Sequence, residues 1–495
     1  MNKLKNYKLS TLYSMSSGVS TGPDQAGHGY PFLSFSTIFN NPIIPDELDE
    51  RMDTTFEDRK KCSVKRGDVF LTRTSETLDE LAMSSVALRD YPNSTFSGFA
   101  KRLRPNSDTF PDPAFMAAYL RGPYFRKVIQ SMTTMTTRAS FNKDLFGLLE
   151  LQLVDYQSQV GIGKLFSNIE RQINLNRKVN DNLRAILQAL YGYWFIQFNF
   201  PDANGRPYKS SGGKMTYSEK LRHAIPGNWQ VASIVDNPLS SVIAPGVNHF
   251  KTKTYYATAD VNGIDLGVGS PVDYETRESR ANMQPRLHTV WFAKMKDSLK
   301  HLFLGRSMEQ VIDNSILSTG FMGLQCKEET FEYITAFIEG PYFECAKDQY
   351  ANGATQQAVG NTELESVYLV VPDDETLARF HNLTRGIVEN MCENLMENKK
   401  LNELRDWLLP MLMNGQATVE ATQPNYRLSY RSNAHQRNVS FLKTGIRRQT
   451  GNGQKRRLRK PQTKVVFAFV NKAACDDSFS HRSRISFLNC GNVRR

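Results

Sequence analysis

A heptad repeat that occurs twice constrains this chain more than any other feature. In 160–191 the apolar residues Leu165, Ile169, Val179, Leu183, Ile186 and Leu190 recur at alternating steps of four and three, with Gln172 and Asn176 filling the two slots between. That is the seam of a single helix about 30 residues long, roughly 45 Å at ~1.5 Å per residue. The segment holds no proline, and its glycines, Gly161 and Gly163, fall at its start. A second copy runs over 377–412 through Leu377, Phe380, Ile387, Met391, Leu401, Leu408 and Leu412. A shift of 222 residues lays Leu165 on Ile387, Ile169 on Met391, Asn176 on Asn398, Val179 on Leu401, Ile186 on Leu408 and Leu190 on Leu412. One seam position breaks the match, since Leu183 falls on Arg405.

Each helix has a seam it cannot bury alone, and the simplest burial is against the other. Asn176 and Asn398 then lie in or beside the seam, where a polar residue fixes register at some cost in stability. The repeat extends beyond the helices. LRGPYF at 120–125 matches IEGPYF at 338–343, an offset of 218, and Phe115 and Tyr119 align with Tyr333 and Phe337. Thr136, Ala139, Asn142 and Leu145 fall on Thr355, Ala358, Asn361 and Leu364 at an offset of 219. This is an internal duplication. It predicts an α+β protein: two mixed α/β domains separated by two long helices that pair as an antiparallel coiled coil with a pseudo-two-fold axis. The expected boundaries are a first domain over 1–156, a helix over 157–192, a central linker over 193–224, a second domain over 225–374, a helix over 375–416 and a basic tail over 417–495. In the linker, Trp194, Phe195, Phe198 and Phe200 read either as a buried docking strip or as an ordinary core strand.

The net charge of +12 is misleading as an average. Residues 421–495 carry 17 Lys+Arg against two acids, so the rest of the chain, with 45 basic and 48 acidic residues, sums to −3. The body is not a uniformly basic nucleic-acid binder, and any such surface on it is local. The tail, with GQKRRLRKPQTK at 453–464, has the composition of an unstructured, phosphate-binding segment or of dispensable sequence. Six scattered cysteines without a C-x-x-C pair, the lack of an apolar leader and the lack of an 18-residue apolar run predict a reduced, cytoplasmic protein without a membrane span. No phosphate loop, metal-ligand spacing of the eight histidines, or Asn/Asp-Pro-Pro-Tyr/Phe motif is present, which argues against catalysis by this chain.

The run LQALYGYWFIQFNFPDANGRPYKSSGGKM at 187–215, with IPGNWQ at 225–230, SRANMQP at 279–285 and VWFAKMKDS at 290–298, resembles the specificity subunit of type I restriction–modification enzymes. So do the two GPYF helices and the duplicated long helix, and the resemblance covers about 1–419. It implies that each half carries a target recognition domain reading one half of a bipartite, asymmetric site on double-stranded DNA. It also implies that the helices act as a spacer. The chain itself is then no enzyme and binds no cofactor. Two modification subunits using S-adenosylmethionine and two restriction subunits using ATP and Mg carry the chemistry, in a bacterial or archaeal cytoplasm. A related system with a fused methylase–nuclease partner, or a structural adaptor that reads no DNA, are the alternatives.

Polar and basic loops supply phosphate and base-edge contacts. The candidates in the first domain are Thr72, Arg73, Thr74 and Ser75 after VFLT, and Thr136, Thr137, Arg138, Ser140 and Lys143 in TMTTRASFNK at 134–143. In the second they are Lys251, Lys253 and Tyr255 in KTKTYY at 251–256, and Gln356 and Gln357 in ATQQ at 354–357. The 134–143 and 354–357 loops occupy matched positions of the repeat, which makes them the better pair.

Overall fold

Both long helices begin the same way. Asp155 and Asp373 each accept a hydrogen bond from the backbone amide three residues on, at Ser158 (3.0 Å) and Thr376 (2.9 Å), satisfying one of the free N–H groups of the first turn. The computed structural model describes residues 4–133, 139–353, 357–421, 426–430 and 463–466. In it the first long helix is Tyr156–Tyr191 and the second Asp374–Met413, 36 and 40 residues. The four extra residues account for the growth of the repeat offset from 218 at the caps to 222 along the seam.

The helices run antiparallel. Glu170 meets Arg405 (2.8 Å), Asn176 meets Glu397 (3.0 Å) and Asn398 (2.9 Å), and Asn180 meets Asn394 (2.8 Å) and the carbonyl of Met391 (3.3 Å). Asn176 thus bonds its own duplicate. Of the expected seam, Leu165, Ile169, Asn176, Met391, Asn398, Leu401, Leu408 and Leu412 are buried, while Leu183, Leu190 and Ile387 are half-buried. Val179 and Ile186 are not in it: they are 39% and 50% exposed. The buried face of the first helix passes instead through Phe166, Ile173, Asn180 and Leu187. Hydrophobicity favours Val179 over its neighbour Asn180, but the Asn180 side chain has two partners on the facing helix and takes the position.

The two α/β halves repeat a four-stranded antiparallel sheet. In the first half the order is Tyr13–Ser17, Ala100–Pro105, Val69–Thr72, Ser84–Val86; in the second it is Ser240–Val242, Phe321–Cys326, Thr289–Ala293, His301–Leu304. The central ladders share one register. Val69 pairs with Leu103 and Thr72 with Ala100; shifted by 221, Val290 pairs with Leu324 and Ala293 with Phe321. The GPYF helices follow as Pro123–Met132 and Pro341–Tyr350, each started by proline after glycine.

Each half is fastened to the helices differently. Near its start the first helix presses on Pro113–Tyr119, so closely that a Cβ on Gly163 would lie 2.6 Å from the amide nitrogen of Phe115. Buried Gln159 completes this contact by accepting from the Asp112 amide (3.0 Å). Near its end the helix meets the second domain through Arg184 and Glu339 (2.5 Å) and through Gln188 and the Ala336 carbonyl (2.7 Å). Beyond Tyr191 it widens into one π-type turn over Gly192–Ile196. The aromatic strip here is buried and is not a strand. Phe195 packs on Tyr333 (4.8 Å) and Phe380 (4.9 Å), and Phe200 stacks on Trp229 (4.7 Å), joining the helix end to the second helix and second domain. The expected linker also runs into a hairpin, Met215–Ser218 against His223–Pro226, because MTYS and HAIP pair across the turn at 219–222, just after the Gly/Ser/Lys-rich stretch 209–214 whose composition suggests only coil. Three strands, Ala417–Ala421, Tyr426–Tyr430 and Thr463–Val466, form an antiparallel sheet within the segment expected to be an unstructured tail. The remainder of that tail lies outside the described residues.

The polar centre of the helix pair yields a stability test. Asn176→Leu removes a donor to Asn398 and Glu397 and leaves both acceptors without it, at a cost of about 1–3 kcal/mol. Asn176→Leu with Asn398→Leu recovers much of that loss, because two apolar side chains then face each other. Urea unfolding of the three proteins checks the order: wild type and double variant above the single variant.

Candidate nucleic-acid interface

In the first domain the strand Val69–Thr72 leaves its sheet at Arg73 and at once re-enters a short ladder. Thr74 pairs with Ser140 and Ser75 with Ala139, while the Phe141 amide donates to the Arg73 carbonyl (2.8 Å). Lys143 follows as the first residue of the helix Lys143–Leu148. Two loops more than sixty residues apart in sequence are therefore one corner, with Arg73, Ser140 and Lys143 exposed and Thr74 and Ser75 half-buried. Thr136, Thr137 and Arg138 lie outside the described residues.

A third cation joins this corner from the adjacent strand. Lys101 is half-buried and donates to the Ser17 hydroxyl (2.7 Å). Burial, and then the positive charges of Arg73 and Lys143, hold its pKa below the usual lysine value. Lysines held near other cations and partly desolvated gain from an anion that neutralises them.

Thr72 is not part of the surface. It is fully buried, and its hydroxyl accepts from the Met83 amide (2.9 Å) and donates to the Glu80 carbonyl (3.4 Å). It closes the connection 73–83 onto the sheet. The end of a strand and the start of a loop look alike in TRTS, and the first threonine belongs to the strand.

The second domain builds the same corner from the expected Gln357 and from residues that were not expected. Gln357 is exposed, and its carbonyl accepts from the Lys296 amide (3.0 Å). Met295 pairs with Ala358, and the Val359 amide donates to the Lys294 carbonyl (2.9 Å). The partner of the 357 loop is therefore 294–296, Lys-Met-Lys, and not 251–256. Sequence reasoning missed these residues although a signal was present, since VFLTRT at 69–74 and VWFAKM at 290–295 stand at the offset of 221. Gln356 lies outside the described residues.

The 251–256 run occupies a different sheet, as the strand Thr252–Tyr256 between Ser270–Asp273 and Ser315–Ser318. Tyr255 is buried against Phe250, Ala281 and Ile316, so it is a core residue, although it shares a strand face with Lys253. Lys251 is exposed, and Lys253 opens on a shallow cavity of about 380 Å³ beside His249, Gln284, Arg286 and Asp313. Burial holds the Lys253 pKa below its ordinary value. This is a second basic patch of the second domain, distinct from the Lys294–Lys296 corner. Among the described residues no cluster of His, Cys, Asp or Glu could hold a metal ion, and no helix is long and apolar enough to cross a membrane.

Each half thus carries one basic corner, and the two halves hold opposite ends of the first long helix, at Gly163 and at Gln188. The type I restriction enzyme MjaIX specificity subunit of Methanocaldococcus jannaschii is 22% identical over 418 residues, spanning 80% of this chain and 88% of its own. The chain is similar to type I restriction enzyme specificity subunits over most of its length. The HindI specificity subunit of Haemophilus influenzae is 20% identical over 450 residues, spanning 79% of this chain and 95% of its own. A solved S subunit of a type I restriction–modification system from M. genitalium overlaps 83% of this chain and 96% of its own, at 11% identity and a TM-score of 0.44. No family model matches the chain.

Thr72→Val is expected to lower unfolding free energy by about 1–3 kcal/mol, because the Met83 amide loses its acceptor in a buried site. Arg73→Ala, one residue on, should leave stability within about 0.5 kcal/mol of wild type. Denaturant titration of both variants separates the structural residue from the surface one.

Proposed function

We propose that this chain is the DNA-reading subunit of a type I restriction–modification complex and does no chemistry itself. The observation that carries this reading is the corner built twice, in one ladder register, on two domains that hold opposite ends of an antiparallel helix pair. Each corner presents cations and short polar side chains beside an exposed loop, the groups that contact phosphates and base edges. The two corners differ in residues: Arg73, Ser140 and Lys143 in one, Lys294, Lys296 and Gln357 in the other. Identical scaffolds with different side chains read two different half-sites, hence a bipartite, asymmetric target.

On this reading the helix pair is a coiled-coil spacer with a pseudo-two-fold axis through Asn176 and Asn398. The first domain grips the first helix at Gly163 and the second at Gln188, 25 residues apart. At ~1.5 Å per residue that is about 38 Å, or about 11 base pairs at ~3.4 Å each. Two reading domains about one turn of B-DNA apart face the same side of the duplex. Two modification subunits with S-adenosylmethionine would methylate adenine at the sites so chosen. Two restriction subunits with ATP and Mg would translocate and cut, all in the cytoplasm.

Coexpression with the neighbouring modification subunit in a methylation-free host, followed by sequencing for modified adenines, tests the proposal. One bipartite motif, methylated on both strands, is expected. Arg73→Ala should relax one half of that motif and Lys296→Ala the other. An assembled complex that modifies no motif would contradict it and favour an adaptor.

A further inference from the structure

The tip beside the first corner carries an aromatic ring that no core explains. Phe99 is 69% exposed, in the Ser97–Ala100 turn between the strands Thr95–Phe96 and Ala100–Pro105. Its backbone is fixed from four sides. The Ala100 amide closes the turn onto the Ser97 carbonyl (3.0 Å), and the Ser97 amide donates to Leu33 (3.0 Å). The Gly98 amide donates to Val19 (2.8 Å), and the Phe99 carbonyl receives the Arg73 amide (2.8 Å). The loop at 18–19 presses on this turn so closely that a Cβ on Gly18 would lie 2.3 Å from the Phe96 carbonyl oxygen, and one on Gly98 2.9 Å from that of Val19. A large apolar ring is thus held in water on a rigid tip.

Its neighbours are cationic. Arg73 is bonded to the tip through its backbone, and Lys101 is two residues on; Lys143 is close enough to act on the Lys101 charge. Phe56, equally exposed at 70%, lies on a short helix with Glu57, Asp58, Arg59, Lys60 and Lys61, so exposure alone does not distinguish Phe99; the backbone bond of its tip to the Arg73 corner does. At the matching tip the second domain carries no ring, although Met295 and Leu299, 40% and 66% exposed, lie beside its lysines. Its matching tip residue is Gly320, whose carbonyl receives the Lys294 amide (2.9 Å).

Resting on the DNA-reading proposal, we infer that Phe99 is a wedge: its ring enters a groove of double-stranded DNA and presses into one base step of the half-site read by the first domain, with Arg73, Lys101 and Lys143 on the flanking phosphates. The ring leaves water for an apolar stack, and the three cations trade mutual repulsion for phosphate. Preorganisation of the tip means that little order is lost on binding. Since Gly320 replaces the ring in the other half, the aromatic wedge acts on one half-site only.

The test uses the full chain and the duplex it selects from a random-sequence pool, with 2-aminopurine placed through the half-site that Arg73→Ala relaxes. Phe99→Ala should weaken binding about tenfold without changing the salt slope, and should abolish a 2-aminopurine brightening seen with wild type. Phe99→Leu, still an apolar wedge, should stay within about threefold of wild type, and Lys101→Gln should lower the salt slope by about one. Binding of Phe99→Ala within about twofold of wild type, with no brightening by wild type, would overturn the wedge alone. A wild-type chain that selects no duplex would overturn the DNA reading, and the wedge with it.

Discussion

The rest of this molecule depends on two asparagines that meet across a helix pair. Asn176 and Asn398 are duplicates of one another, both buried, and hydrogen-bonded at 2.9 Å. Two apolar seams alone would tolerate several alignments, because one heptad resembles the next. A buried amide pair does not: a slipped register sets each asparagine against leucine or methionine and leaves its polar atoms unpaired. Gln172, Asn180, Asn394 and Glu397 extend the polar layer on both sides, and Glu170 with Arg405 adds an ion pair beyond it. The mismatch of the repeat at Leu183 and Arg405 thereby finds its reason. Arg405 serves a carboxylate on the facing helix, where its duplicate Leu183 packs against the second domain's core.

The two domains hang on this frame with unequal security. The second is fixed by a buried chain of charges running from Arg184 through Glu339, His301 and Glu344 to Lys347. Burial disfavours charge on His301, but hydrogen bonds to carboxylates on both ring nitrogens outweigh it and raise its pKa. Both carboxylates are in turn held below their ordinary range by the cations against the same burial. The imidazolium's contribution is therefore complete below the ordinary histidine pKa and fades as pH climbs through the raised one. In the first domain the residue matching Glu339 is Arg121, with the charge reversed. It donates instead to the carbonyls of Ser84, Ile38 and Phe39 within its own domain, and a cavity of about 530 Å³ lies between it, Arg177, Arg405 and Asp406. The first domain leans on the close contact at Gly163 in place of an ion chain.

Much of this frame could be read from residues alone. Length, pairing and polarity of the two helices follow from a strong period over many residues, and the GPYF landmarks locate the halves. The finer choice of face did not follow, because Val179 and Asn180 are adjacent and only the facing Asn394 and Met391 decide between them. The two basic corners were half legible. Position in the repeat identifies 139–143 and 357, whose local loops are polar. Lys294 and Lys296 follow an all-buried strand; the offset of 221 aligns them with the residues after VFLT, and the hydrogen bonds of the fold pair them with the 357 loop. Thr72 and Tyr255 have side chains typical of DNA contacts yet are buried, because other elements of the fold cover the ends of their strands, which composition does not carry.

If the helix pair is the spacer, its length sets the distance between half-sites and nothing else about the target. The direct measurement is the methylated motif of a chain lengthened by seven residues at two facing points, between 181 and 182 in the first helix and between 392 and 393 in the second. A full heptad in each keeps the seam and the Asn176–Asn398 layer intact. The added length, about 10 Å, corresponds to about three base pairs. Unchanged half-sites with a spacer longer by about three base pairs are predicted. A methylated motif whose spacer has not changed would contradict the account.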